Sequence, residues 1–104
     1  MNLNQIMVRK AIIANSLHFF ERNEKLLNEL KDLNFKLATI KTNEYLEELS
    51  RKEIYYLSRK IKFSYGFIDQ LCKDIGLNPI CEDYKTTIKH IVFNIADEYI
   101  NEVH

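Results

Sequence analysis

Apolar residues recur at steps of three and four along most of the chain, a spacing that predicts amphipathic helices. The first stripe consists of Leu3, Ile6, Met7, Ile13, Ala14, Leu17 and Phe20. The second consists of Leu26, Leu30, Leu33, Leu37 and Ile40. Continued forward, the first stripe reaches Glu24 and Lys31, so the two do not share one side of a straight helix. We expect a break at 22–24 with Asn23 as a helix cap, and a single long helix with a rotating buried side is the alternative.

Capping signals predict the helix boundaries in the second half of the chain. Thr42 or Asn43 is predicted to cap a short helix that runs through Leu49. Ser50, with Glu53 three residues later, matches the capping box, in which the two side chains each accept a hydrogen bond from a helix-end N–H. We expect a long helix from there, with an apolar stripe made of Ile54, Leu57, Ile61, Tyr65, Ile68, Leu71 and Ile75.

The end of that helix and the start of the last one are also marked. Gly76 stands where a left-handed residue commonly ends a helix. Asn78 and Pro79 form an N-cap followed by the proline position that helices favour. The last helix is predicted on the stripe Tyr84, Ile88, Ile91, Ile95, Tyr99 and Val103.

Turn-forming residues are scarce, and this scarcity favours a helical fold over an all-β fold. The 104 residues include two glycines and one proline, whereas an all-β domain needs turn residues about every ten positions. Apolar residues make up 46% of the chain and charged residues 29%, a balance typical of globular domains. We therefore predict an all-α fold, a compact bundle of about four long helices plus one short helix, in a single domain over 1–104.

Two of the predicted helices carry a second apolar stripe. A helix that is apolar on two sides is either central in its own bundle or in contact with another chain. We predict that the second stripes form an interface with another protein, or with a second copy in a homodimer. The alternative is that other parts of the monomer cover them. The predicted partner-binding residues are Val8, Ile12, Phe19, Tyr56, Phe63 and Phe67.

Charge adds a second candidate surface on the helix after Ser50. Fifteen basic and fifteen acidic residues give the chain no net charge, so it has no global preference for nucleic acid or anionic membranes. A predicted basic face nevertheless consists of Arg51, Tyr55, Arg59 and Lys62. Cations around a tyrosine can hold phosphates or meet an acidic protein surface, and a solvated helix side is the alternative.

The segment 71–79 resembles the centre of a helix-turn-helix motif. It has a core leucine at Leu71, a small neighbour at Cys72, a turn glycine at Gly76, and then an apolar residue and a polar cap. The resemblance implies a DNA-binding regulator that uses residues 68–90. Glu82 occupies the position expected to be buried in the second helix, and acids near the start of that helix would face phosphates unfavourably. An ordinary corner between two helices is the alternative.

Catalytic and metal-binding patterns are missing from the sequence. His18, His90 and His104 lack the short ligand spacings of zinc sites, and no phosphate-binding loop or nucleophile motif occurs. We predict no enzymatic activity, no metal and no cofactor. Cys72 and Cys81 form no C-x-x-C pair, which favours a reducing compartment, and no apolar run has the length of a membrane span.

These patterns together predict a small binding protein of the cytoplasm with no membrane partner. The leading hypothesis is a protein-binding module that occludes a site on a macromolecular partner, as adaptors, inhibitors, antitoxins and immunity proteins do. An origin in a bacterial, phage or mobile-element genome is part of that hypothesis, because the chain is rich in Asn, Lys and Ile. The alternative is the helix-turn-helix-like regulator, with nucleic acid as the less favoured partner.

Overall fold

In a computed structural model, residues 1–19 and 23–103 are described, apart from the side chains of His18 and Phe19. These residues form five α-helices, which confirms the predicted all-α class. The helices are α1 (Leu3–Phe19), α2 (Glu24–Glu47), α3 (Arg51–Phe63), α4 (Phe67–Ile75) and α5 (Glu82–Val103).

The chain divides into two units, residues 1–37 and residues 38–104. The boundary falls inside helix α2, so this helix contributes its first part to the first unit and its second part to the second unit. The prediction of a single domain over 1–104 stays a prediction.

The first unit contains α1 and the first part of α2. The predicted cap at Asn23 is confirmed, because its side-chain oxygen accepts hydrogen bonds from the backbone N–H groups of Lys25 and Leu26 at 3.0 and 3.3 Å. Asn2 and Gln5 form a reciprocal capping pair at the start of α1, which the sequence analysis missed. Of the predicted break at 22–24, Arg22 lies outside the described residues, and α2 begins at Glu24 as a helix separate from α1.

The predicted core stripes of the first unit are correct in part. The buried apolar side chains are Ile6, Ile13, Leu33 and Leu37. Met7 and Ala14 were predicted to be in the core and are exposed, because at about 100° per residue they lie well round the helix from Ile6 and Ile13. Phe20 lies outside the described residues.

Helix α2 continues through the point where a short helix was expected to start. Neither Thr42 nor Asn43 caps a new helix, because α2 runs unbroken from Glu24 to Glu47. Thr42 is fully buried and lies in line with the buried Ala38 and Leu46 at steps of four residues. A small polar residue that resembles a cap in the sequence is here part of a buried helix side.

The second unit shows the opposite error, because one predicted long helix is two. Helix α3 ends at Phe63, and Gly66 adopts φ +81°, a left-handed conformation that side-chain-bearing residues rarely adopt. Helix α4 then begins at Phe67. Tyr65 was predicted as a core residue and is fully exposed, because it lies in this corner between the two helices.

The boundary signals that rest on local hydrogen bonds are confirmed at two places. At Ser50, the hydroxyl accepts a hydrogen bond from the Glu53 N–H, and the Glu53 carboxylate accepts one from the Ser50 N–H. At Gly76, φ is +94°, the Gly76 N–H bonds to the Lys73 carbonyl and the Leu77 N–H bonds to the Cys72 carbonyl. This pair of hydrogen bonds is the Schellman motif.

Asn78 does not cap the last helix as predicted. Its side chain accepts a hydrogen bond from the Ile80 N–H, and its carbonyl accepts one from the Cys81 N–H, so it closes a turn ahead of the helix. The first turn of α5 is bonded instead to the carbonyl of Cys81. Helix α5 packs against both α3 and α4, most extensively against α3, and this packing positions the surface described next.

Candidate partner-binding face of helix α3

Arg51, from the predicted basic face, anchors the start of helix α3 to helix α5. Its guanidinium donates hydrogen bonds to the carboxylates of Glu102 and Glu98, the latter at 2.9 Å. The hydrogen bond to Glu102 is the main reason that the pKa of Arg51 is raised. Arg51 is therefore engaged within the second unit.

Two more residues of the predicted basic face also contact α5. The ring centre of Tyr55 lies 5.7 Å from that of Tyr99, and the Lys62 ammonium nitrogen lies 5.3 Å from the centre of the Phe93 ring. Such ring–ring and cation–ring contacts are attractive and fix side-chain positions. The residues Arg51, Tyr55 and Lys62 thus follow the edge of α3 beside α5, and only Arg59 of the predicted set lies on the outward side.

That outward side carries alternating cations and aromatic rings. Lys52, Tyr56, Arg59 and Phe63 follow one another at steps of four, three and four residues, so they share one side of the helix. Ile54 and Ser58 are buried on the opposite side. Tyr56 is 51% exposed and Phe63 is 72% exposed. We call the set Lys52, Tyr56, Arg59, Lys60 and Phe63 the α3 face.

Two cations of the α3 face, Arg59 and Lys60, lie against aromatic rings. The Arg59 guanidinium carbon is 5.1 Å from the centre of the Phe63 ring, and the Lys60 nitrogen is 5.7 Å from that of the Phe67 ring. Phe67, predicted to bind a partner, is the first residue of α4 and is half-buried. Among residues 1–19 and 23–103, no acidic side chain pairs with Lys52, Arg59 or Lys60. Their charge is therefore available to a partner.

Two depressions border the α3 face. A groove of about 240 Å³ lies beside Tyr56 and Lys60 and is also lined by Tyr45, Leu49, Glu53 and Leu57. A larger cleft of about 530 Å³ lies at the corner between α3 and α4. We call it the corner cleft, and its lining includes Lys62, Phe63, Tyr65, Ile68, Asp69, Lys85 and Lys89.

The lysines of the corner cleft differ in their partners. The Lys85 nitrogen lies 2.9 Å from a Glu82 oxygen and 3.1 Å from an Asp69 oxygen. Hydrogen bonds to Glu82 and then Asp69 raise the pKa of Lys85, which keeps it charged but paired. Lys62 and Lys89 have no carboxylate partner within the described part of the chain. The cleft therefore keeps an excess of positive charge.

The same ion pairs bear on the helix-turn-helix resemblance. Lys85 was one of two basic residues in the segment 68–90 that DNA contacts would require, and its side chain is only 16% exposed. Glu82 and Asp83 occupy the first turn of α5, where the helix dipole favours acids. The tight turn at Gly76 is present as the resemblance implies. Lys85 of α5, however, pairs with Asp69 of α4, so its charge stabilises the contact between these two helices.

The predicted partner-binding residues of helix α1 lie in the first unit. Val8 and Ile12 are 60% and 49% exposed and line a shallow groove of about 370 Å³ with Asn4, Gln5 and Arg9. We call Val8 and Ile12 the α1 patch. The side chain of Phe19, predicted to belong to it, lies outside the described residues.

Arg9, which lines the same groove as the α1 patch, has an acidic partner. The Arg9 guanidinium forms two hydrogen bonds with the Glu29 carboxylate, at 2.7 and 3.0 Å. The hydrogen bond from Arg9 is the main reason that the pKa of Glu29 is lowered. The α1 patch is thus aliphatic, with its nearest positive charge neutralised.

Other chemistry is limited in the part of the chain that the structure describes. No group of three or more His, Cys, Asp or Glu side chains there could hold a metal ion. Cys72 is fully buried and burial raises the pKa of its thiol, which keeps it protonated and poorly reactive. Within residues 1–19 and 23–103, no helix has the length and apolar character to cross a membrane.

Comparison with known proteins finds no match for the chain, whether among protein-family models, curated proteins or solved structures. The sequence patterns predicted Tyr56, Arg59 and Phe63 as binding residues but did not assign Lys52 and Lys60 to a binding surface. The corner cleft was not predicted, because the apolar stripe predicted one helix through the corner between α3 and α4. Gly66, after Ser64 and Tyr65, was the sequence signal that could have revealed that corner.

Proposed function

We propose that the chain is a small intracellular protein-binding module that uses the α3 face to occlude a site on a macromolecular partner. Adaptors, inhibitors, antitoxins and immunity proteins act in this way. One observation carries the proposal: exposed rings alternate along one side of a single helix with cations that have no acidic partner in the described part of the chain. No catalytic step and no cofactor is part of the proposed function.

The composition of the α3 face supports protein recognition. Aromatic residues and arginine are enriched at protein interfaces and supply most of the residues whose loss weakens binding strongly. The rings of Tyr56 and Phe63 offer a large contact area, and few rotatable bonds must be fixed on binding. Burial of Phe63 by a partner would also remove from water an apolar ring that the monomer leaves 72% exposed.

The way helix α3 is held supports the same proposal. The capping box at Ser50 fixes its start, and the contacts of Arg51, Tyr55 and Lys62 with α5 fix its edge. A helix held in this way presents its outward side in one orientation, which lowers the entropic cost of binding. The α3 face is thus preorganised as well as exposed.

Site-specific photo-crosslinking in the host cell tests the proposed function. A photoreactive phenylalanine analogue replaces Phe63 or Tyr56, and in the matched control it replaces Ile80, which is 85% exposed and belongs to neither depression. We expect a discrete protein adduct from positions 63 and 56 and none from position 80. The partner in the adduct is identified. The complex of the two unmodified proteins is then purified, and its mass gives the stoichiometry.

Two results would contradict the proposal. One is the absence of any protein adduct at positions 63 and 56. The other is the same set of adducts at position 80 as at position 63, which would indicate random collisions. An adduct of twice the mass of the chain would assign the α3 face to a homodimer, in which the module binds a second copy.

The DNA-binding regulator that uses residues 68–90 is the second candidate function. The Schellman turn at Gly76 favours it, since a helix-turn-helix needs a tight glycine corner. Its signature is binding to random duplex DNA that weakens steeply between about 50 and 200 mM salt. The variant Lys89→Ala would abolish that binding, whereas a partner bound at the α3 face is insensitive to duplex DNA.

A further inference from the structure

We infer that the partner of the α3 face is a protein with an acidic segment, whose carboxylates pair with the cations of that face and which places an apolar side chain in the corner cleft. This inference rests on the proposed function and adds the chemical class of the partner. The proposed binding site consists of the α3 face and the corner cleft, which share Phe63.

Charge complementarity is the first argument. Helix α3 contains Arg51, Lys52, Arg59, Lys60 and Lys62 but only one acid, Glu53. Arg51 is paired with α5, and the Glu53 carboxylate accepts a hydrogen bond from the Ser50 N–H. Four cations of α3 therefore have no acidic partner among the described residues, although the chain as a whole has no net charge. A surface with such a local excess attracts carboxylates and repels basic partners.

The corner cleft supplies the second argument. Its volume of about 530 Å³ lies within the range of ligand-binding pockets, about 300–1,000 Å³. Ile61, Ile68 and Phe63 provide apolar lining. Asp69 and Lys85 also line the cleft but pair with each other, so Lys62 and Lys89 leave an excess of positive charge. An apolar side chain flanked by Asp or Glu satisfies both parts of this lining. The fully exposed Tyr65 borders the cleft and can cover the inserted side chain.

The arrangement of the cations favours a protein over a nucleic acid. The Arg59 head group lies over the Phe63 ring, so the two form one amphipathic contact rather than a cation aimed along a backbone of phosphates. A nucleic-acid binder that makes about six to ten phosphate contacts needs more cations than the four of α3 that have no acidic partner among the described residues.

Selection from a random displayed peptide library tests the inference with a defined probe. The immobilised full chain is the target, and enriched peptides are synthesised with a fluorescent label. We expect the enriched sequences to combine Asp or Glu with an apolar residue. Replacing their Asp and Glu by Asn and Gln is expected to weaken binding at least about tenfold, because charge-assisted hydrogen bonds are about twice as strong as neutral ones.

Variants of the chain locate the site. Lys60→Ala, in the α3 face, together with Lys89→Ala, in the corner cleft, is expected to weaken peptide binding about tenfold or more, and Phe63→Ala likewise, while Ile80→Ala leaves it unchanged. Unaltered melting temperatures show that the variants remain folded. A labelled random duplex is titrated in parallel and is expected neither to bind nor to displace the peptides.

Four outcomes would overturn the inference. They are no enriched peptide, neutral or basic enriched peptides, binding that survives the replacement of Asp and Glu, and displacement by duplex DNA. The proposed function fails separately, since it depends on the crosslinks at positions 63 and 56. Neutral peptides that still require Phe63 would contradict only the acidic partner, whereas peptides that bind Phe63→Ala normally would contradict the α3 face itself.

Discussion

The α3 face and the α1 patch were predicted by the same rule, a second apolar stripe on a helix, and they differ in what surrounds the stripe. Val8 and Ile12 are aliphatic, and the neighbouring Arg9 is neutralised by Glu29. On α3, aromatic rings alternate with cations that have no carboxylate partner in the described part of the chain. The two surfaces are similar in exposure and different in charge.

This difference shows why exposure alone is weak evidence for an interface. More than half of the surface of a folded protein is apolar, and single exposed aliphatic residues are normal. The α1 patch needs no partner to account for it. On the α3 face, by contrast, cations that have no carboxylate partner among residues 1–19 and 23–103 coincide with large exposed rings and two depressions.

Charge reversal is expected to give the largest difference between the α3 face and the α1 patch. Arg59→Glu combined with Lys60→Glu places acids against an acidic partner, and like charges at an interface cost several kcal/mol, so the affinity is expected to fall about a hundredfold. Arg9→Glu removes the pair with Glu29 and puts two acids together, which is expected to lower the melting temperature and leave the affinity unchanged. Titration calorimetry with the crosslinked partner and thermal unfolding measure the two effects.

The control for that experiment is Lys52→Ala, at the other end of the α3 face, which is expected to reduce the affinity less than the double reversal. If Arg9→Glu weakened binding as strongly as the reversal on α3, charge neutralisation would not distinguish the two surfaces. The distinction drawn between them would then be wrong.

A smaller effect is expected from the helix starts that support the two surfaces. Ser50→Ala removes one half of the capping box of α3 and is expected to lower the free energy of unfolding by about 1 kcal/mol. Asn2→Ala does the same to the reciprocal pair at the start of α1, and a loss of similar size is expected. Urea unfolding measures both, and an unchanged free energy of unfolding for either variant would show that its cap contributes nothing to stability.

The sequence predicts well those parts of the fold that depend on neighbouring residues. The all-α class, the Asn23 cap, the Ser50 box and the Gly76 corner follow from hydrogen bonds within a few positions. Apolar spacing also located Tyr56 and Phe63 as exposed rings beside a buried stripe.

The errors arise where contacts between distant residues decide the outcome. Thr42 resembles a cap, but it is buried in mid-helix. Arg51 and Lys62 resemble members of one basic face, but both contact residues of α5 that lie about thirty to fifty positions further along the chain, which no local spacing reveals. The corner cleft depends on the left-handed Gly66, a signal that a continuous stripe of apolar residues concealed.

The affinity of the crosslinked partner for Phe63→Ala and for Ile12→Ala tests the central claim most directly. Both changes truncate an exposed apolar side chain, and both are expected to leave the free energy of unfolding within about 0.5 kcal/mol of the unmodified chain. We expect Phe63→Ala to lose about 2 kcal/mol of binding free energy, roughly thirtyfold in Kd, and Ile12→Ala to change Kd less than about twofold. A loss confined to Ile12→Ala, or none with Phe63→Ala, would contradict the assignment of the α3 face as the binding surface.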